Sequence, residues 1–207
     1  MDDLEQMIQY IVKRHPRRAL LLVGFSLSGN ILLKYLGEGR RIPPNVHGTF
    51  AVNPPVDLKI ASHNLSYGKF SVMFNKYYMD KINRQAGALI QCFPSAFLPP
   101  RHMKTIREFD EAYTASAAGY KNVEEYYEKC SARQFLRQII VPTTILSACD
   151  DPFVPPDVFQ GAMMSLSVHY NAPKAGGHMG YISKNVTPFG DHRWMDYIIV
   201  EWAGKVD

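Results

Sequence analysis

The sequence predicts an α/β fold, a mostly parallel sheet flanked by helices, on three observations. A helical stripe, a short apolar strand, a sharp turn and a second helical stripe follow one another over residues 2–37. Strand-like segments return at 46–55, 141–156 and 167–171. Between 56 and 138 the rhythm changes to long, irregularly periodic helical patterns rich in Phe, Tyr and Met, which read as a helical cap insertion within one domain spanning 1–207.

Each element has its own signal. In residues 2–14, Leu4, Met7, Ile8, Ile11 and Val12 fall on one helical stripe, with acids in the first turn and bases in the last, as the helix dipole favours. Pro16 follows and ends it. Residues 19–23 are a continuous apolar run of the kind buried on both faces of a parallel sheet. Leu27, Ile31, Leu32, Tyr35 and Leu36 form the next helical stripe, closed by Gly37 and Gly39. VHGTFAVNPP at 46–55 is a strand stopped by two prolines, and VPTTILSACDDPFVPP at 141–156 is a strand, an acidic loop and a helix starting near Pro156. SVHYN at 167–171 is a shorter strand, and WMDYIIVEW at 194–202 a closing helix. FPSAFLPPRH at 93–102 breaks the insertion.

Composition narrows the function classes. With 46% hydrophobic and 20% charged residues in 207, the chain has enough apolar material for a core. The net charge of +4 comes from scattered basic residues without a like-charge block, which argues against a nucleic-acid partner. Three cysteines, Cys92, Cys130 and Cys149, are widely spaced and form no CxxC pair, so neither a disulfide framework nor a zinc site is indicated. No apolar run approaches the roughly 20 residues that span a bilayer, and no signal-peptide pattern is present. As written, the chain reads as cytoplasmic.

Chemistry concentrates at three points. Gly24-Phe25-Ser26-Leu27-Ser28 sits between the first strand and its helix, the setting of a tight turn that lifts a serine hydroxyl above a sheet. Such a turn needs small residues on both sides of the serine. It also aims the Leu27 backbone N–H, at a helix N-terminus, toward a forming oxyanion. A serine N-cap at an ordinary strand-to-helix junction has the same local pattern, so the base and the acid must be found elsewhere. After the strand near 145, either Asp150 or Asp151 stands at a carboxyl strand end; Asp151-Pro152-Phe153-Val154-Pro155 fits the form of a hydrolase acid without a shift, which leaves Asp150 to structure the loop. His178 lies in KAGGHMGYI, where flanking glycines free the backbone to present an imidazole. His15, His47, His63, His102, His169 and His192 lack that setting.

The segments VGFSLSGNILLKYLGE at 23–38, IREFDEAYTASAAGY with EEYYEKCSA at 106–132, PTTILSACDDPFVPP at 142–156 and GGHMGYI at 176–182 resemble the YheT-like branch of the α/β-hydrolase superfamily, AB hydrolase family four. The order Ser, Asp, His along the chain is that superfamily's order. The resemblance implies a carboxylic-ester hydrolase, with Ser26 as nucleophile, Asp151 as acid and His178 as base. It implies no metal or organic cofactor, and a small-molecule ester or lipid substrate: a short- or medium-chain acyl ester, an acylglycerol or a phospholipid. Ser28 replaces the family's usual glycine and is expected to crowd the turn slightly.

One feature departs from the family more strongly. Several strands normally precede the serine turn, and a loop among them supplies a second oxyanion N–H; here one helix and one strand precede Ser26. The chain thus reads as the C-terminal part of an α/β-hydrolase fold, with an exposed apolar edge on the strand at 19–23 and with any membrane anchor upstream. A catalytically silent fragment that binds a partner is the alternative from another class, and an acyltransferase with the same triad the alternative within enzymes. The large apolar side chains of the insertion, including Phe70, Met73, Phe74, Tyr77, Tyr78 and Phe93, are expected mainly to pack it and, secondarily, to line an acyl pocket.

Overall fold

The computed structural model describes residues 1–93, 97 and 103–206. Most of the break predicted at 93–102, with His102, lies outside them. Along the chain run α1 (Asp2–Arg14), β1 (Leu20–Phe25), α2 (Leu27–Gly37), β2 (Val46–Val52), α3 (Leu58–Tyr67), α4 (Ser71–Cys92), α5 (Ile106–Phe109), a π-helical turn (Asp110–Thr114), α6 (Ala115–Ala117) and α7 (Val123–Cys130). A 3-10 segment (Ala132–Gln138), β3 (Thr143–Leu146), a 3-10 turn (Pro156–Phe159), β4 (Val168–Asn171) and α8 (Trp194–Ala203) complete it. These elements divide into two compact units, Met1–Val56 with Ser131–Asp207, and Asp57–Cys130.

The first unit is built on a four-stranded sheet in the order β1-β2-β3-β4, every pair parallel. Register sorts its side chains. Phe50 lies beside Val23, and Val52 beside both Phe25 and Leu146, so these share one face. There α8 supplies Trp194, Met195, Ile198 and Trp202 around Phe50, Val52, Leu146 and Tyr181, with the Phe50 and Trp202 rings edge to face at 5.3 Å. Leu22, Ala51 and Ile145 turn to the other face, where α2 approaches so closely that a Cβ on Gly24 would meet Leu32 and one on Gly29 would meet Ala51. Fully buried side chains such as Leu33 and Ile145 contribute about 1.5–3 kcal/mol each by leaving water.

Three sequence expectations change here. β1 is not buried on both faces: it alternates, and Val23 and Phe25 remain 38% and 43% exposed, because β1 is an edge strand and the α8 cluster gathers on Phe50 and Val52. Gly37 belongs to α2 and is there for space, since a Cβ would come within 2.3 Å of the Phe135 carbonyl oxygen. The helix expected from Pro156 is a single 3-10 turn that ends where Gln160 turns extended, at φ −62° and ψ 129°. Residues 132–138 pack with the sheet unit, where the Ala132 N–H donates to Asn30 Oδ1 at 2.9 Å.

The second unit is helical. Asp57 caps α3 by accepting the Ile60 N–H at 3.0 Å, and Thr105 caps α5 by accepting the Glu108 N–H at 3.1 Å. Leu58, Ala115, Val123 and Tyr127 form its buried cluster. Tyr127 Oη donates to Asp110 Oδ2 at 2.8 Å and lies 2.6 Å from Ser62 Oγ, and Arg107 pairs with Glu124 at 2.5 Å. The motif around Asp110 and the one around Tyr127 are therefore joined by side chains inside this unit. Phe70, Met73, Tyr77 and Phe93 are exposed and lie outside that cluster.

Candidate active site

The site is assembled from three carboxyl strand ends of the first unit. β1 ends at Phe25, and Ser26 follows with φ 50°, ψ −122°, a strained left-handed conformation for a residue with a side chain. Its N–H still donates to the Val52 carbonyl at 2.8 Å, which anchors the turn to β2. α2 starts at once with Leu27, whose N–H is among the first-turn amides that no intrahelical acceptor can reach.

The turn is tight between Gly24 and Gly29. A Cβ on Gly24 would lie 2.8 Å from both Cα and N of Gly29. Ser28 is exposed, and its Oγ accepts the Phe25 N–H and donates to the Phe25 carbonyl, each at 2.8 Å. The expected crowding at Ser28 is absent because the residue that closes on Gly24 is Gly29.

Asp151 follows β3 and is buried, its side chain fully shielded from solvent. One carboxylate oxygen accepts the N–H groups of Phe153 and Val154 at 2.8 and 3.1 Å, so the Asp-Pro-Phe-Val spacing folds the chain around its own acid. The other oxygen lies 2.8 Å from His178 Nδ1, and His178 Nε2 lies 2.8 Å from Ser26 Oγ. Phe153 sets its ring edge to face with the imidazole at 5.0 Å. Ser26, His178 and Asp151, separated by up to 152 positions in sequence, thus form one continuous hydrogen-bonded chain.

Asp150 points elsewhere. It accepts the N–H groups of Gly176 and Gly177 at 2.9 and 2.8 Å and does not join that chain. Gly177 takes φ 58°, and a Cβ on Gly176 would strike the Tyr181 ring at 2.4 Å, so both glycines of the His178 loop are required, one by conformation and one by space. Burial pushes the Tyr181 phenol well above its usual range, keeping it a hydrogen-bond donor. Of the other histidines, His15, His63, His169 and His192 are exposed and His47 is half-buried.

Reading the sequence did not single out Asn53. It follows β2, is fully buried with φ 42°, and bonds to the His178 loop. An Asn before Pro-Pro looks like a turn residue, so no local signal marks it. Among the described residues, no cluster of three or more His, Cys, Asp or Glu side chains is arranged to hold a metal ion, and no helix is long and apolar enough to cross a membrane.

A family model described as "alpha/beta hydrolase fold" matches residues 1–184. The candidate esterase YheT of Escherichia coli (strain K12) is 29% identical over 208 residues, covering 97% of this chain and 59% of its own length. A Saccharomyces cerevisiae medium-chain fatty acid ethyl ester synthase/esterase is 29% identical over 231 residues, covering 99% and 50%. Human monoacylglycerol lipase ABHD2 is 28% identical over 219 residues, covering 97% and 51%. The chain thus spans about half to three-fifths of the length of these relatives. Among solved structures, a monoacylglycerol lipase of Paleococcus ferrophilus shares the fold with a TM-score of 0.52 at 16% identity, over 100% of this chain and 76% of that one.

Proposed function

This chain belongs to the alpha/beta hydrolase fold family, and from that premise we propose that it cleaves carboxylic esters through an acyl-enzyme formed on Ser26. The observation that carries the reading is the pair of 2.8 Å contacts that link Ser26 Oγ to His178 and His178 to the buried Asp151 carboxylate. With its proton on Nδ1 and donated to Asp151, the imidazole presents a lone pair at Nε2. As Ser26 Oγ attacks the ester carbonyl, Nε2 takes the hydroxyl proton, and Asp151 stabilises the imidazolium that forms. The oxyanion meets the Leu27 N–H at the positive end of α2. Collapse breaks the bond to the leaving alcohol, which receives the proton from His178. A water molecule then attacks the acyl-enzyme with His178 again as base, releasing the acid and restoring Ser26.

The substrate class we assign is an acyl ester of a small alcohol, glycerol or a lipid headgroup, after the activities for which the relatives are named. The helical unit Asp57–Cys130 is taken as the cap insertion of the same domain. Transfer of the acyl group to an alcohol in place of water is the second reading, favoured by the synthase/esterase name of the yeast relative. Mass spectrometry after treatment with a fluorophosphonate tests the core of the proposal. An adduct on Ser26, absent from Ser26→Ala, is expected. Folded wild-type protein that takes no adduct overturns it in favour of a silent, partner-binding chain. Product analysis with and without an added alcohol separates hydrolysis from transfer.

A further inference from the structure

The imidazole of His178 sits on a short loop, and that loop is held by two side chains of which neither belongs to the serine, histidine and aspartate chain. Asn53 comes from the end of β2. Its Nδ2 donates to the Gly177 carbonyl at 2.8 Å and to the carbonyl of His178 itself. Its Oδ1 accepts the Ala148 N–H at 3.0 Å and the Tyr181 hydroxyl at 2.6 Å. One primary amide thereby ties together β2, the segment that follows β3 and leads to Asp151, and both sides of the His178 loop. Every hydrogen-bonding direction of that amide has a partner.

Asp150 grips the same loop from the other side, accepting the N–H groups of Gly176 and Gly177. The chain entering His178 is therefore held at the Gly176 and Gly177 N–H groups by a carboxylate, and the peptide units on either side of His178 are held at the Gly177 and His178 carbonyls by an amide. The backbone of Asn53 shows that this arrangement is imposed. Its φ of 42° is unfavourable for a residue with a side chain, though Asn tolerates it better than most, and its N–H donates to the Leu146 carbonyl at 2.7 Å. Strain of this kind persists where surrounding bonds over-determine the conformation.

We propose that Asn53, with Asp150 opposite it, is the positioning element that fixes the His178 loop so that the imidazole spans Ser26 and Asp151. Neither residue touches the reacting atoms. Their effect on chemistry passes through the orientation of His178, and for the part concerning Ser26 it rests on the ester-cleaving reading above. A displacement of about 1 Å at a catalytic group costs on the order of 10²-fold in rate.

Asn53→Asp is the sharpest variant, because it keeps the shape and the acceptor for Ala148 and Tyr181 but turns the donor that faces two carbonyls into an acceptor. Ser26 labelling by the fluorophosphonate is expected to slow by about 10²-fold, and with an ester substrate the loss should fall on kcat with KM little changed. The proton NMR spectrum supplies a readout independent of ester chemistry: the His178 Nδ1–H, donated to a carboxylate, gives a strongly deshielded resonance in the wild type that Asn53→Asp should shift or lose. Asp150→Ala and Asp150→Asn form the second arm, since Asp150 is exposed and its removal spares the core. The amide oxygen of Asp150→Asn still accepts both glycine N–H groups, so it should recover most of the labelling rate lost in Asp150→Ala.

Folded Asn53→Asp with wild-type labelling and an unmoved resonance overturns the proposal. If Asn53→Asp does not fold, Asp150→Ala decides: wild-type labelling and resonance there overturn it equally. A wild-type chain that shows the deshielded resonance but takes no fluorophosphonate removes the ester-cleaving reading and leaves the positioning of His178 to be judged on the resonance alone.

Discussion

Each unit of the molecule contains a serine hydroxyl, a ring and a carboxylate joined in a line, and the two lines behave differently. In the sheet unit the order is Ser26, His178, Asp151; in the helical unit it is Ser62, Tyr127, Asp110. The proton pattern can be drawn alike in both, with serine donating to the ring and the ring donating to the acid. The middle group separates them. An imidazole that donates its Nδ1–H in a hydrogen bond to an acid keeps that proton, still has a basic Nε2, and becomes a cation when it takes the serine proton. A phenol has one oxygen for both jobs, and burial, followed by the negative charge of Asp110, pushes the Tyr127 hydroxyl far above its usual range. It cannot act as a base. Placement agrees with this: Ser62 is buried within α3, whereas Ser26 sits half-exposed in a strained turn. What separates the two serines is a ring that can hold a second proton and a hydroxyl that is not buried.

The largest test of that contrast exchanges each acid for its amide. Asp151→Asn should lower ester turnover by about 10⁴-fold, because the wrong imidazole tautomer is favoured, whereas Asp110→Asn should leave turnover unchanged; equal losses in a substrate assay would erase the distinction. Next in size, Tyr127→Phe removes a hydrogen bond from the half-buried Asp110 carboxyl and from the buried Ser62, and should destabilise the protein by about 1–3 kcal/mol in urea unfolding while the Ser26 adduct still forms.

A smaller effect follows from pH. Burial raises the Asp110 pKa above the ordinary carboxylate range, so the folded state holds this proton more tightly than the unfolded chain does. The stability it contributes is full below the unfolded pKa, near 4, and is lost as pH rises through the folded value. Asp110→Asn should therefore flatten the decline in stability as pH rises above 4, read from urea midpoints along a pH series. The smallest change expected is for Asp57→Ala. Losing the cap on Ile60 should cost about 1 kcal/mol and lower the unfolding midpoint, with no effect on the Ser26 adduct.

How far the chain could be read in advance differs between the same two regions. Ser26, His178 and Asp151 each carried a local mark: a strand followed by Gly-x-Ser, a histidine among glycines, an Asp two residues before Phe and three before Val. Those marks reflect backbone demands made within a few residues of the side chain, and the Phe153 and Val154 N–H groups bonded to Asp151 are a direct instance. Asn53 carried none, since its four side-chain bonds go to residues 95 to 128 positions away. The helical unit was legible only as helical. Its shared core of Leu58, Ala115, Val123 and Tyr127 depends on pairings that periodicity does not encode.

The sequence by itself determined the parallel α/β rhythm, the serine turn and the identity of the three residues at strand ends, because local backbone geometry and hydrophobic period act over short stretches. Only the tertiary structure decided that Gly29, and not Ser28, is the residue packed against Gly24, that the exposure expected at the β1 edge extends to the side chains of Val23 and Phe25, and that Asp150 and Asn53 hold the His178 loop between them. Each of these depends on which distant atoms arrive within a few ångströms, and that is settled by strand order and register.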